Sequence, residues 1–324
     1  MIQFLSRRLL TLLLTLLAAS LVIFLVLDVL PGNVAEVLMG PDADPAAVEE
    51  LARQLGLHLP AWQRYVGWLG GLFTGQLGES MVYGVPVADL LAERMALTVP
   101  LALMAMTLTV VLALVVGVQA ALHQGRWPDT LMMGLGQFGV AMPSFWLAML
   151  LVLVFSVWLG WLPSGGFEGW QPLDEGGGWF AGLWQGMQAL MLPALALACV
   201  QAAILARFVR AAVLDVRSEA FVRTATAKGL TQRQVLWGHV FRNALIPVLT
   251  IAGMQFADLM AGAVVIENVF SLPGLGRLLF QSIANRDLIV VRNGVLLLVA
   301  MVMVLNFLID VLYALVDPRM RSRR

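Results

Sequence analysis

Residues Arg207–Pro247 read RFVRAAVLDVRSEAFVRTATAKGLTQRQVLWGHVFRNALIP and form a polar stretch between long apolar ones. The stretch contains only two acidic residues, Asp215 and Glu219. Its seven basic residues are Arg207, Arg210, Arg217, Arg223, Lys228, Arg233 and Arg242. Charged side chains are costly inside a bilayer, so a stretch this polar is expected in water. The sequence therefore predicts a water-exposed loop between two membrane helices.

The middle of this stretch contains residues that end one helix and begin another. Gly229 suits the left-handed position that follows a helix. Thr231 suits an N-cap, and Gln234 stands three residues later, as a capping box requires. The pattern predicts two short helices joined by a tight turn at residues 228–230. A plain solvated basic loop is the alternative that this pattern leaves open.

The strings FVRTATAKGL (Phe221–Leu230) and FRNALIP (Phe241–Pro247) resemble the cytoplasmic loop of ABC-importer permeases. More narrowly, they resemble the dipeptide/oligopeptide/nickel permease family, in which this loop is the coupling helix that docks on the ATPase subunit. The sequence departs at two places from the motif of ABC-importer permeases in general. Arg223 stands in place of a glutamate, and Phe241–Arg242 stands in place of Leu-Pro. Both departures are familiar in the peptide branch of the family. The resemblance implies a coupling role for Phe221, Arg223, Thr224, Ala225, Lys228, Gly229 and Leu230.

The composition excludes an ordinary soluble domain. Hydrophobic residues make up 60% of the chain and charged residues 12%, against about a quarter charged in soluble domains. Six apolar runs reach the roughly 20 residues that a spanning helix needs. We therefore predict an all-α membrane protein in which residues 1–324 form one transmembrane domain with six helices, at Leu9–Leu30, Leu97–Leu122, Thr130–Leu159, Met187–Leu205, Ala244–Ile266 and Gly294–Val316.

The distribution of arginine predicts the orientation of these helices, since cytoplasmic loops carry the excess of basic residues. Residues 33–96 contain three arginines and residues 160–186 none, although the loop before the last helix carries three more. We therefore place residues 33–96 outside and the loop 207–243, between helices four and five, in the cytoplasm. Both termini are predicted to be cytoplasmic, because they carry Arg7, Arg8, Arg319, Arg321, Arg323 and Arg324.

Three residues inside the apolar runs are candidates for the translocation path. Asp258 lies deep in the fifth run, and an ionisable residue at such a position indicates function or a paired contact. Gln255 stands one turn before it. Pro143 lies in the third run, where it removes a backbone hydrogen bond and predicts a kink. A kink of this kind either lines a path or is only structural, and the sequence leaves both readings open.

A second string that resembles the same family follows the fifth run. It reads IENVFSLPGLGR, Ile266–Arg277, and the resemblance extends from Met1 to about Arg321. Within it, Pro273 and Gly274 fit the central positions of a type II turn, which needs a positive φ at the second of them. We therefore predict such a turn outside the membrane.

The residue inventory excludes the common enzyme sites. The phosphate loop of ATPases needs a lysine before Ser or Thr, and Lys228, the only lysine, precedes Gly229. His58, His123 and His239 are isolated, and Cys199 is the only cysteine. We predict no catalytic residue, no metal site and no cofactor in this chain.

The resemblance implies a multi-pass permease subunit in a bacterial inner membrane that imports peptides by alternating access. Its expected partners are a second related permease, two ATPase subunits that bind ATP and Mg²⁺, a periplasmic or lipid-anchored binding protein, and membrane lipid. No nucleic acid is expected. A nickel or nickel-chelate importer is the alternative within transport. A membrane receptor or scaffold with a basic docking loop is the alternative from another class.

Overall fold

The computed structural model describes residues 2–29, 39–40, 43–54, 56–171 and 179–316. The predictions for residues 319–324 and for parts of residues 33–96 therefore lie outside the described residues. Within these ranges the chain is helical, apart from loops and one isolated bridge between Glu79 and Pro86. The α-helices are α1 (Ile2–Val29), α2 (Pro45–Gln54), α3 (Ala61–Thr74), α4 (Val87–Leu122), α5 (Trp127–Ala141), α6 (Ser144–Leu151), α7 (Trp179–Ser218), α8 (Ala220–Ala227), α9 (Gln232–Val235), α10 (Phe241–Val269), α11 (Leu275–Ala284) and α12 (Leu288–Val316).

Five stretches of the described chain are long and apolar enough to cross a membrane, as predicted. They are Leu5–Asp28, Val87–Leu122, Trp179–Ser218, Gln232–Val269 and Leu288–Val311. Several helices extend beyond the apolar run that predicted them, because the polar residues at their ends continue the helix into the loops. The fourth predicted span, for example, was expected at Met187–Leu205, and its helix occupies Trp179–Ser218.

The third predicted span is broken at Pro143. Helix α5 and the segment Ser144–Trp158, which is α6 followed by a π-helical stretch, meet at 107°. Met142 is extended (φ −89°, ψ 134°), as expected of a residue before proline. Pro143 provides no N–H to continue α5 and stands immediately before α6. The predicted kink is therefore a sharp break, which makes the pair either a broken span or a re-entrant loop.

The described chain divides into two compact units. The first contains residues 99–273 and the end of α12 from Leu305. Helix α7 lies at its centre and packs against α10, α5 and α6. Helices α4 and α7 approach closely at Gly117, where an added Cβ would lie 2.6 Å from the Ala206 carbonyl oxygen and 2.6 Å from Val209 Cβ. Only glycine allows the two backbones to come this close.

The second unit contains residues 5–98 and 274–304. Leu91, Leu275 and Val290 are buried in one of its apolar clusters, and Phe24 and Trp68 in another. Two long-range hydrogen bonds fix the unit's loops, one from the Trp68 indole to Asn293 Oδ1 (2.9 Å). The other runs from the Ser80 hydroxyl to Asp287 Oδ2 (2.5 Å). Segments distant in sequence are thus held by buried polar contacts as well as by apolar packing.

The predicted type II turn at Pro273–Gly274 is wrong. Gly274 has φ −101° and ψ −179°, and it is the N-cap of α11. The backbone N–H of Leu275 donates to the Thr98 hydroxyl oxygen (2.9 Å). The positive φ in this loop belongs to Ser271, at 53°. A tertiary contact thus sets the backbone conformation here, and the local turn propensity of Pro-Gly does not decide it.

Candidate functional site: the loop between α7 and α10

The loop between α7 and α10 contains the predicted pair of short helices. Helix α8 ends at Ala227, α9 begins at Gln232, and Gly229 between them has φ 84°. Thr231 and Gln234 form the predicted capping box. The Thr231 N–H donates to Gln234 Oε1 (2.9 Å), and the Gln234 N–H donates to Thr231 Oγ1 (3.4 Å). The predicted local geometry is therefore confirmed.

The two short helices are packed onto the core of the first unit. Val222 and Ala225 of α8 and Val235 of α9 are buried in the same apolar cluster as Val209 and Val213 of α7. Arg217, at the end of α7, donates from Nη1 to the backbone oxygen of Ala121 in α4 (3.2 Å). The position of the loop is thus fixed to the long helices.

The outer surface of this loop combines charges with large apolar side chains. Phe221 is 42% exposed and Trp237 is 52% exposed, and Trp237 contacts Phe241 with ring centroids 4.8 Å apart. Arg223 and Lys228 are also exposed. Arg223 also lines a groove of about 530 Å³, together with Thr226 and Leu230. Sequence reasoning missed Trp237, although a tryptophan in a polar loop is a detectable signal.

The predicted coupling residues do not all lie on this surface. Ala225 is only 5% exposed, since it packs inward with Val222, and Leu230 is half-buried. Thr224 and Thr226 are exposed, but their hydroxyls donate to backbone oxygens of their own helix, at 3.0 Å each. Phe221, Arg223 and Lys228 are therefore accessible from outside, whereas Ala225 packs against the core of the first unit.

An ion pair that sequence reasoning missed joins α5 to α7. Arg210 donates from Nε and Nη2 to the two carboxylate oxygens of Asp129, at 2.7 Å each. Asp129 also accepts from the Gly125 backbone N–H (3.0 Å) and is buried. A bidentate arginine–carboxylate pair fixes both position and orientation. The signal in the sequence was an acid in the first turn of a helix, but nothing local identified its partner.

The three path candidates occupy different environments. Asp258 is exposed on a face of α10 that also carries Met254 and Val265, whereas Gln255 is buried at 5% exposure. Gln255 donates from Nε2 to the Gln201 backbone oxygen (3.3 Å) and thus packs against α7. Pro143 is exposed at the break before α6. Gln255 and Asp258 are thus neighbours on α10, but Gln255 is covered by α7 whereas Asp258 is exposed.

Comparison with known families places these features in context. Residues 113–322 match the model of the binding-protein-dependent transport system inner membrane component. The chain belongs to this family. Residues 1–102 of this family member match the companion model for the N-terminal part of the same components. The short helices α8 and α9 lie inside the first match.

Individual relatives cover the whole permease. It is 40% identical over 323 residues to the glutathione transport system permease protein of Escherichia coli (strain K12), covering 100% of both chains. It is 43% identical over 305 residues to a putative peptide transport system permease protein of Brucella abortus (strain 2308), covering 94% of each. The chain is thus a multi-pass inner-membrane permease, as its apolar helices indicate.

A solved structure shares the fold. The MetNI methionine ABC transporter, in inward-facing conformations, contains a chain that superposes with a TM-score of 0.56 at 18% identity. The match covers 70% of this permease and 96% of that chain. At this identity the likeness concerns the fold alone.

Proposed function

We propose that this permease, together with a second related permease, forms the translocation path of an ABC importer for peptides. The proposal rests on the sequence similarity to relatives named for glutathione and peptide transport. The identity is 40% over 100% of the chain for the first and 43% over 94% for the second. Glutathione is itself a tripeptide, so both names describe one chemical class. That class favours peptides over the nickel chelates that the sequence left as an alternative.

The exposed surface of α8 and the turn after it is proposed to dock on the ATPase subunit. Phe221 is the apolar side chain that can enter a groove on the partner, and Arg223 and Lys228 are exposed basic side chains of the same short segment. Exposed apolar groups on a charged loop mark a protein contact. The burial of Val222 and Ala225 in the core cluster of α7 supports transmission of motion from this contact to the spanning helices.

Energy for transport is proposed to come from ATP and Mg²⁺ on the ATPase subunits, because Lys228 is not in a phosphate loop. A binding protein outside the membrane would deliver the peptide. The arginine distribution supports a cytoplasmic position for residues 207–243 and for both termini, with residues 33–96 outside.

Asp258 is proposed to face the translocation path or the second permease. Its side chain is exposed on the surface of this chain although it lies within a candidate span. A carboxylate there is costly against lipid, so water or a protein partner is the favoured neighbour. Gln255 is buried against α7, and its place on the path stays a prediction.

Disulfide or chemical crosslinking in the assembled transporter tests the coupling role. In a Cys199→Ser background, single cysteines at Thr224 and Thr226 should crosslink to cysteines on the ATPase subunit. The yield should change when nucleotide binds. A cysteine at Ala225 is the matched control, since this neighbouring position faces the core. Equal yields at all three positions, or none at the two exposed ones, would contradict docking through this surface.

Reconstitution tests the division of labour and the substrate class. The purified chain alone should show neither ATP hydrolysis nor uptake. The complete set of permeases, ATPases and binding protein should take up labelled peptide, and nickel should not reduce this uptake. ATP-dependent uptake by the chain alone would refute the assignment, and nickel uptake without peptide uptake would refute the peptide class.

A further inference from the structure

The second unit contains a cavity that the transport role does not explain. Its volume is about 740 Å³, within the usual range for small-molecule sites. It lies where the end of α1, α2, α3 and the start of α12 meet. Three arginines, Arg53, Arg64 and Arg292, line it together with two acids, Asp28 and Glu49.

Two of the three arginines are paired within the cavity. Arg53 contacts Glu49 at 2.7 Å, and Arg64 contacts Asp28 at 2.7 Å. Among the residues that the structure describes, no carboxylate forms an ion pair with Arg292, and its Nε has no hydrogen-bond partner. The lining therefore carries one positive charge in excess, on Arg292.

The surrounding structure holds the Arg292 guanidinium in place. It lies over the Trp68 ring, 4.6 Å from the ring centroid, in a cation–π contact. The Trp68 indole in turn donates to Asn293 Oδ1 (2.9 Å), and Asn293 Nδ2 donates to the Leu77 backbone oxygen (3.0 Å). The Arg292 guanidinium, placed over this ring, has N–H donors whose arrangement suits a planar or tetrahedral anion.

We propose that this cavity binds the phosphate group of a membrane phospholipid, with Arg292 as its principal contact. Arginine pairs with phosphate through parallel N–H···O hydrogen bonds, and an excess positive charge in a partly buried cavity favours an anion. Arg64 also lines the cavity, where Asp28 balances its charge. The site is independent of the transported substrate.

The surfaces around the cavity indicate a lipid as the source of the phosphate. On α3, Trp62 is 65% exposed, Val66 is 58% exposed and Phe73 is 89% exposed. Tryptophan and other aromatic residues favour the membrane–water interface. The span that ends at Asp28 carries exposed apolar side chains such as Leu21 and Leu25. Two of the helices that line the cavity, α1 and α3, thus carry outer faces that suit acyl chains.

Lipid binding to the assembled transporter tests the proposal. The delipidated complex is titrated with phosphatidylglycerol, and bound lipid is counted by native mass spectrometry. Diacylglycerol with the same acyl chains is the control ligand, because it lacks only the phosphate headgroup. Arg292→Gln should weaken phosphatidylglycerol binding about tenfold or more, equal to at least about 1.4 kcal/mol. The same substitution should leave diacylglycerol binding unchanged.

Arg286→Gln is the matched control variant, since Arg286 is exposed in the same unit and does not line the cavity. It should bind phosphatidylglycerol within about a factor of two of the unaltered complex. Equal binding by the two variants would overturn the proposal. So would diacylglycerol binding as tightly as phosphatidylglycerol, or inorganic phosphate binding as tightly as the lipid.

A second pair of variants keeps the test decisive if Arg292→Gln does not assemble. Gln63→Glu retains Arg292 and adds a carboxylate to the lining, while Gln76→Glu adds the same charge at an exposed position outside the cavity. Only Gln63→Glu should weaken phosphatidylglycerol binding. Unchanged binding in Gln63→Glu would overturn the role of this cavity.

Discussion

The Arg210 guanidinium donates a hydrogen bond to each oxygen of the Asp129 carboxylate, at 2.7 Å each, and so joins α7 to the start of α5. Asp129 is 5% exposed, so the loss of one partner leaves the other charge poorly solvated. We expect Arg210→Gln to reduce stability by about 1–3 kcal/mol, the usual contribution of hydrogen bonds to charged groups. The midpoint of heat denaturation of the purified complex measures the loss.

The control for this prediction is Arg126→Gln, which removes an exposed arginine near the same end of α5. A surface charge of this kind contributes little to stability. If Arg126→Gln and Arg210→Gln lower the midpoint of heat denaturation equally, the ion pair of Arg210 and Asp129 contributes no more to stability than an ordinary surface charge.

A second prediction concerns the turn between α8 and α9. An added Cβ at Gly229 meets no atom within 4 Å, so the only cost of a side chain is its φ of 84°. Gly229→Val should cost about 1–3 kcal/mol of local strain and impair uptake while the chain still inserts. Gly229→Asn should retain more uptake, because asparagine tolerates the left-handed region.

Gly238→Val is the matched control for that series. Gly238 also has open space around its Cβ position, but it lies in helical backbone without a positive φ. Uptake should therefore be close to normal in Gly238→Val. Wild-type uptake in Gly229→Val would show that the turn does not determine the docking geometry.

A third prediction concerns orientation in the membrane. In a Cys199→Ser background, a cysteine at Glu50 should react with an impermeant thiol reagent added outside the cell. A cysteine at Ser218 should react only after the membrane is opened. Both positions are exposed, so burial within the chain does not confuse the result. Labelling in the reverse order would invert the proposed topology.

A fourth prediction concerns Asp258. If its side chain faces a water-filled path, a cysteine at this position in the assembled transporter should react with a small water-soluble thiol reagent, and peptide should slow the reaction. A cysteine at Leu14, 56% exposed on the mostly apolar helix α1, is the comparison and should react far more slowly. Reaction at Leu14 but not at Asp258 would contradict the path assignment.

The contrast between the loop 220–235 and the rest of the chain shows what the sequence could predict. The capping box of Thr231 and Gln234 and the positive φ of Gly229 were predictable, because each depends on residues within a few positions of one another. The apolar runs likewise predicted the spans. These features follow from local geometry and from the thickness of the bilayer.

Features set by distant contacts were not predictable. The Gly274 backbone follows a hydrogen bond from Leu275 to Thr98, which lies far away in the sequence. The partners of Arg210 and Arg64, namely Asp129 and Asp28, could not be chosen among the available acids. Proline predicted a kink at residue 143 but not its size of 107°, and the helix after it, α6, packs against α7, which is distant in the sequence.

The close approach of α4 and α7 at Gly117 restricts the motions open to the first unit. Sliding α4 along α7 by about one turn would bring Ala113 or Ala121 to the position of Gly117, where even one methyl group has no room beside the Ala206 carbonyl. The contact therefore resists a change of register between the two helices at this point. A motion of the first unit that keeps the contact moves the adjoining parts of α4 and α7 together.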